Sequence, residues 1–204
     1  QRRARAVSDA ASRRCESARM TIVAGVDFGT QSVRFSIFDS ERGRLGSGLA
    51  AYPLLRHSKD PNFAAQSHAD HLRALVQAAR EAIAAAKIDG RQIAALGIDT
   101  TGSTIVPVGE DLEPLDDYYL WCDHRAWSEA EDITRTAREK RLSAIDWCGG
   151  TYQAEFALGK LWHWLRHNPE KRSQFVTALE HCDHIAAVLC GITDMDQLPR
   201  SVCA

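Results

Sequence analysis

The chain has 204 residues, 45% hydrophobic and 25% charged, a balance that suits a globular protein of one or two domains with enough apolar material for a core. Lys and Arg number 25 against 27 Asp and Glu, for a net charge of −2, so neither a nucleic-acid footprint nor a polybasic membrane patch is expected. No apolar run is long enough to span a bilayer.

Residues 1–19 carry six arginines against Asp9 and Glu16 and show no apolar periodicity. They read as a leader or as an upstream extension ahead of Met20, and they stand outside the fold argument. Ile22–Asp27, Val33–Asp39 and Leu45–Tyr52 then read as three consecutive strands, with Gly43 in the second turn. His57–Gln66 is polar and is expected to be a loop. Ser67 and Asp70 resemble a capping box, and Leu72, Leu75, Val76, Ala79 and Ile83 repeat at helical spacing, which predicts a helix over His68–Ala86. Ile93–Asp99 reads as a buried strand ending in Thr100-Thr101-Gly102-Ser103, and Thr104–Val108 is another. Asp123 is expected to cap a helix whose stripe is Ala126, Ala130, Ile133 and Ala137, running to about Lys140.

Ala154–His167 is expected to be helical, with Leu158, Leu161, Trp162 and Leu165 on its packed face. Asn168-Pro169 ends it and starts the next helix. Asp183 is expected to cap a short helix that Gly191 stops. The order β-β-β-α-β departs from the strict alternation of a doubly wound sheet. Neither G-x-G-x-x-G nor G-x-x-x-x-G-K-[ST] occurs. The six cysteines, at 15, 122, 148, 182, 190 and 203, include no C-x-x-C pair, and reduced thiols in a cytoplasmic protein are expected.

The stretch Val23 to Arg34 carries the most chemistry. An apolar strand runs into Asp27-Phe28-Gly29-Thr30, and a second strand leaves at once. Glycine at such a tip lets a phosphate oxygen approach the backbone, and turn N–H groups together with the Thr30 hydroxyl can donate to it. Asp27 cannot bind phosphate directly, but it fits a site where Mg²⁺ stands between carboxylate and phosphate. The same residues also suit an ordinary hairpin turn chosen for backbone geometry. His181-Cys182-Asp183-His184 lacks the second ligand pair that a compact zinc site usually needs, and reads as a helix start. Trp162 and Trp164 could stack on a sugar, with core packing the simpler reading for Trp162. Lys160 falls near the apolar face of its helix, where it needs a partner or must snorkel.

On this frame, Gly25-Val26-Asp27-Phe28-Gly29-Thr30-Gln31-Ser32 resembles the first phosphate loop of the actin-like ATPase superfamily, and within it the FGGY carbohydrate kinases. Gly97 to Thr104, Leu120-Trp121-Cys122-Asp123-His124-Arg125-Ala126, Gly149 to Lys160, and Pro199 to Ala204 are similar to successive segments of the ribulokinase-like branch. The resemblance implies an α/β, ribonuclease H-like or actin-like ATPase domain with a mixed sheet and a β-β-β-α-β start. Residues 20–204 would be the front part of the first kinase domain.

By the same resemblance, Asp27, Gly29, Thr30 and Gln31 would face Mg²⁺, through water, and the phosphates of ATP. Gly102, Asp123 and Lys160 would border a sugar. Thr100 stands where an aromatic residue is common in these kinases, and Gly102 where a slightly larger one is. The implied activity is ATP-dependent phosphorylation of a ketopentose, ribulose first, with a xylulose-type pentulose or a polyol as the alternative. A non-catalytic actin-like nucleotide- or sugar-binding module is a further alternative. The catalytic base is expected beyond Ala204, so the chain alone is expected to be inactive. Sugar and nucleotide are the expected partners, with no nucleic acid or membrane, and a homodimer as an open possibility.

Overall fold

Alternation decides the architecture. In β1 (Ile22–Phe28) every second residue is buried, and in β2 (Ser32–Asp39) the buried set is Val33, Phe35, Ile37 and Asp39, the pattern of strands with one covered face. The computed structural model describes residues 21–198. In it β1 and β2 pair antiparallel from Ile22↔Asp39 to Phe28↔Val33, and β2 pairs antiparallel with β3 (Gly43–Ala51). After helix α1 (His68–Ala86), β6 (Ile93–Thr100) returns parallel to β1, so the first sheet has the order β3-β2-β1-β6. Expected to be buried, β6 is instead mostly exposed, because it stands at the edge of the sheet among the described residues. The predicted β-β-β-α-β order is present within this sheet and its helix, and the bounds of α1 are as predicted. Ser67 precedes α1 but makes no side-chain cap.

Helix α1 covers one face of this sheet, burying His71, Ala74, Leu75, Ala78 and Ala82 against Ala24, Val26, Phe35 and Ile37. It lies so close to β3 that a Cβ on Gly48 would stand 2.1 Å from the Ala78 carbonyl oxygen, and one on Gly46 would stand 2.6 Å from the Ala86 nitrogen. The two glycines let helix backbone rest on strand backbone.

The second half builds a separate antiparallel sheet, β4-β5-β8-β7-β9, from β4 (Leu55–His57), β5 (Asp60–Gln66), β7 (Ile105–Val108), β8 (Tyr118–Tyr119) and β9 (Thr177–Glu180). Around it stand α2 (Trp127–Glu139), α3 (Ala144–Trp147), α4 (Ala157–His167) and α5 (His181–Cys190). The stretch expected as a loop, His57–Gln66, is instead largely strand. Ser58-Lys59 turn the chain, and Ala65 and Gln66 find ladder partners in Tyr119 and Tyr118, far along the sequence.

Asp123 does not cap α2, which starts at Trp127 after Ala126, because its carboxylate is buried and bonded elsewhere. Nor does Asp183 cap α5. It lies within the first turn, after Glu180 at the N-cap, while Gly191 closes the helix in the left-handed region as expected. Pro169 opens only a single 3₁₀ turn. Helix α4 begins at Ala157, and its packed face is centred on Lys160 and Trp164. Leu158 is exposed and Trp162 half-buried. That face wins because Trp164 Nε1 donates to Asp116 at 3.0 Å while its ring fills the core beside Ile105 and Tyr119.

The two sheets meet over buried histidines. His71 on α1 stacks on Phe28 with ring centroids 5.6 Å apart, and His181 at the start of α5 lies edge-on to the same Phe28. Gln66 Oε1 accepts from His71 Nε2 at 3.0 Å, and His71 Nδ1 lies 2.9 Å from His181 Nε2. Tyr118 bonds His184 Nδ1 at 2.7 Å. Burial pushes His71 down to about 3, His184 down to about 4, and His181 well below the ordinary imidazole range, with neighbouring histidines acting in the same direction.

These three rings are neutral in the fold and take up protons near ~6.5 once unfolded. Their stabilising effect is complete above that pH and is lost as the pH falls toward their folded values. Each contributes a slope of about 1.4 kcal/mol per pH unit. Glu180, pushed up by burial to about 7, works in the opposite sense, as one group against three. Urea midpoints should therefore fall between about pH 7 and about pH 5, and His184→Gln should flatten the fall. A midpoint unmoved over that range would contradict charge-free histidines in the core.

Candidate functional site

The parallel pairing of β1 and β6 runs to Phe28↔Thr100, so the turns that follow each strand emerge side by side at one edge. The first is the Gly29–Ser32 tip, closed by Gly29 N–H donating to the Ser32 carbonyl at 3.0 Å. Its carbonyls are all occupied. The Tyr52 hydroxyl donates to Gly29 O and to Ser32 O, Gln66 Nε2 donates to Thr30 O at 2.6 Å, and Tyr52 N–H donates to Gln31 O at 3.2 Å. The N–H groups of Thr30 and Gln31 have no partner among the described residues. A turn whose carbonyls are tied back and whose N–H groups are free is built to meet an anion. Burial, and then the charge of Asp27, raise the Tyr52 pKa, so this phenol stays a donor.

Trp121 adds to the tip. Its indole N–H donates to Thr30 Oγ1 at 3.1 Å, which leaves the Thr30 hydroxyl proton free for another acceptor. Its backbone N–H donates to Thr104 Oγ1 at 3.3 Å, just past the second turn. The segment Leu120–Ala126 thus bridges the two turns.

Asp27 lies on the sheet face away from α1 and is exposed. In register beside it on β6 is Asp99, and the two line a groove of about 460 Å³ with Gly25, Gly97, Arg34 and Ser36. Sequence reasoning passed over Asp99. The available signal was the matching triplets Gly25-Val26-Asp27 and Gly97-Ile98-Asp99 at the ends of two strands. Two carboxylates with adjacent free N–H and O–H donors are a donor set that fits a hydrated Mg²⁺ and the phosphates it accompanies.

At the second turn Gly102 is exposed, with nothing within 4 Å of where a Cβ would stand. Ser103 takes the left-handed conformation, φ 52°, and its carbonyl accepts from Lys160 Nζ. Lys160 is wholly buried on α4. Burial lowers its pKa to about 8, while the charges of Asp123 and Glu180 pull the other way. Glu180, at the end of β9, is also buried. Its Oε2 accepts from Thr104 N–H at 3.2 Å, while Oε1 is buried without a partner. Burial pushes it up to about 7 against the attraction of Lys160.

Glu180 was not foreseen, since nothing local marks a glutamate whose cation comes from another helix. Asp123 is present in this neighbourhood but sealed. It accepts from Ala64 N–H at 2.9 Å and from the backbone and guanidinium of Arg125, which lies 4.3 Å from both the Phe63 and Tyr119 ring centres. His181 and His184 belong to the buried ring cluster. The Pro199–Ala204 segment lies outside the described residues.

Lys160→Met removes the cation that holds Glu180 down. The Glu180 carboxyl, followed by carbon-detected NMR titration, should then titrate above its present value of about 7. An unmoved Glu180 would show that the two groups do not share one field.

Residues 22–198 match the family described as the FGGY family of carbohydrate kinases, N-terminal domain. The chain is similar to a ribulokinase of Shouchella clausii, 28% identical over 188 residues, covering 82% of this chain and 34% of that protein. It is also similar to a D-ribulokinase of Saccharomyces cerevisiae, 30% identical over 156 residues, covering 72% of this chain and 21% of that one. Among solved structures, it resembles a xylulose kinase from Rhodospirillum rubrum with a TM-score of 0.70 at 16% identity, covering 82% of this chain and 33% of that one. A xyloylose kinase from Brucella ovis gives a TM-score of 0.72 at 20% identity, covering 81% of this chain and 34% of that one. The fold is thus that of the actin-like ATPases, and the chain spans about a third of the length of the first ribulokinase it matches. Among the described residues no helix is long and apolar enough to cross a membrane. With its matched residues extending from β1 to the turn after α5, the chain belongs to the FGGY family of carbohydrate kinases, as an N-terminal domain.

Proposed function

We propose that this chain is the front part of an ATP-dependent kinase that phosphorylates a hydroxyl of a ketopentose, ribulose in the first place. The observation that carries the proposal is the shared edge. Free N–H groups and carboxylates at one turn stand beside a buried lysine at the next. The names of the related proteins, ribulokinase and D-ribulokinase, support ribulose.

In this reading the N–H groups of Thr30 and Gln31 and the Thr30 hydroxyl bind phosphate oxygens. Gly29 keeps the tip narrow. Asp27, with Asp99 beside it, holds the hydration shell of Mg²⁺, and the metal neutralises charge on the phosphoryl group when bound. Lys160 spends one N–H on Ser103 and keeps others for a sugar oxygen next to Gly102. With a pKa of about 8 it remains charged near neutrality. Asp123 acts at one remove, fixing Arg125 and β5 so that the Trp121 bridge keeps its place. The catalytic base is assigned to the part of the kinase beyond Ala204.

The test uses the product of the complete gene. Asp27→Asn should lower kcat by about two orders of magnitude, the scale of losing one electrostatic stabiliser, with little change in sugar affinity. Lys160→Met should weaken sugar binding by roughly ten- to a hundredfold, as for a charged hydrogen bond worth ~1.5–3 kcal/mol. L-ribulose, D-ribulose, D-xylulose and glycerol are compared in an ADP-release assay. Near-normal kcat and Mg²⁺ dependence in Asp27→Asn would return that residue to a turn-shaping role. Preference for D-xylulose or glycerol would overturn the substrate.

A further inference from the structure

We propose that Glu129, His163 and His167 form a site for one divalent transition-metal ion of the zinc class, on the flank where α2 faces α4. It uses none of the residues of the phosphate loop or of the Gly102 turn. Each of the three offers one ligand atom, and these atoms all lie within 4.8 Å of one another. His163 and His167 are one turn apart on α4, with their rings stacked, centroids 4.0 Å and planes 27° apart, so the two lone pairs run side by side and the His163 ring turns about its side-chain bonds to share an ion. Glu129 comes from α2 with its side chain almost fully buried, and its Oε2 stands 3.3 Å from His163 Nδ1. That separation is the edge of a tetrahedron whose metal–ligand bonds are ~2.0 Å long.

The surroundings prepare the ligands. His167 Nδ1 bonds the His163 carbonyl at 2.8 Å. This hydrogen bond places the ring proton on Nδ1, leaving Nε2 as the lone-pair nitrogen, and it orients the ring as an outer-shell partner does in metal sites.

Arg166 donates to the other Glu129 carboxylate oxygen, Oε1, at 3.1 Å and is itself shared with Asp132, while the Ser128 hydroxyl donates to Oε2 at 3.0 Å, so an ion at Oε2 takes the place of the His163 contact and keeps Ser128 as a second partner of that oxygen. Both histidines also line a cavity of about 540 Å³ that includes Asp116 and Asn168, with room for a water as the fourth ligand. Two imidazoles and one carboxylate select zinc, cobalt or nickel over magnesium. An ion here would pin α2 to α4 within one turn of Lys160.

The test is Zn²⁺ titration of the 204-residue chain by calorimetry, with thiols reduced and millimolar Mg²⁺ present. One ion should bind. His167→Ala, at an exposed position that the core does not need, should weaken binding at least tenfold, and Glu129→Gln should act in the same direction. His57→Ala, exposed and distant in sequence, should leave it unchanged. Co²⁺ should give visible ligand-field bands without thiolate charge transfer. Equal affinity in wild type and His167→Ala, thiolate charge transfer, or no binding in millimolar Mg²⁺ would overturn the site and leave an ordinary Glu129–His163–Arg166 hydrogen-bonded cluster.

Discussion

The pairing of β1 with β6 is the constraint on which the rest depends. The two strands are far apart in sequence and run parallel in register from Val23↔Ala95 to Phe28↔Thr100. Because side chains alternate with a period of two, this register places Asp27 and Asp99 on the same face and lets both following turns leave from the same edge. A slip of one residue would turn one carboxylate into the core under α1 and separate the turns. The register is held by the burial of Ala24, Val26 and Phe28, so the apolar residues of β1 decide where its one exposed carboxylate stands.

The polar interior serves the same edge. From the Thr30 carbonyl a chain of contacts runs through Gln66 and His71 to His181 at the start of α5. Next to His181 stands Glu180, which meets the backbone of Thr104. The phosphate-facing turn and the lysine-facing turn are therefore linked through the interior as well as over the surface by Trp121. Buried polar chains of this kind are costly when one member is unpaired. That cost ties the geometry of each turn to the integrity of the other.

The parts legible in the sequence are those with local signals. Strands β1 and β2 carry a repeat of two and helix α1 one of 3.6 over seven or more residues, β3 and β6 are marked by their apolar residues and bounding turns rather than by a repeat, and the loop between β1 and β2 carries its own chemistry. The second sheet was hidden because β4, β8 and β9 are two to four residues long and gain their partners from remote segments. Asp123 reads as a cap on residue type alone, yet Arg125 and the Ala64 N–H claim it. Lys160 stood out as a lysine on an apolar face. The glutamate that shares its field could not, since their meeting depends on how α4 and β9 pack.

The glycine contact between α1 and β3 has a mechanical meaning. Sliding motions between packed elements need an intervening layer of side chains whose rotamers can yield. At Gly46 and Gly48 that layer is missing, and helix backbone touches strand backbone. Helix α1 and strands β2 and β3 therefore form one stiff plate without an internal shear plane. Tyr52, just after β3, clamps the phosphate loop, which makes the loop the rim of that plate. Any opening or closing around a ligand has to tilt the plate as a whole, and its pivot must be sought in the connections that leave it, after Tyr52 and after Ala86.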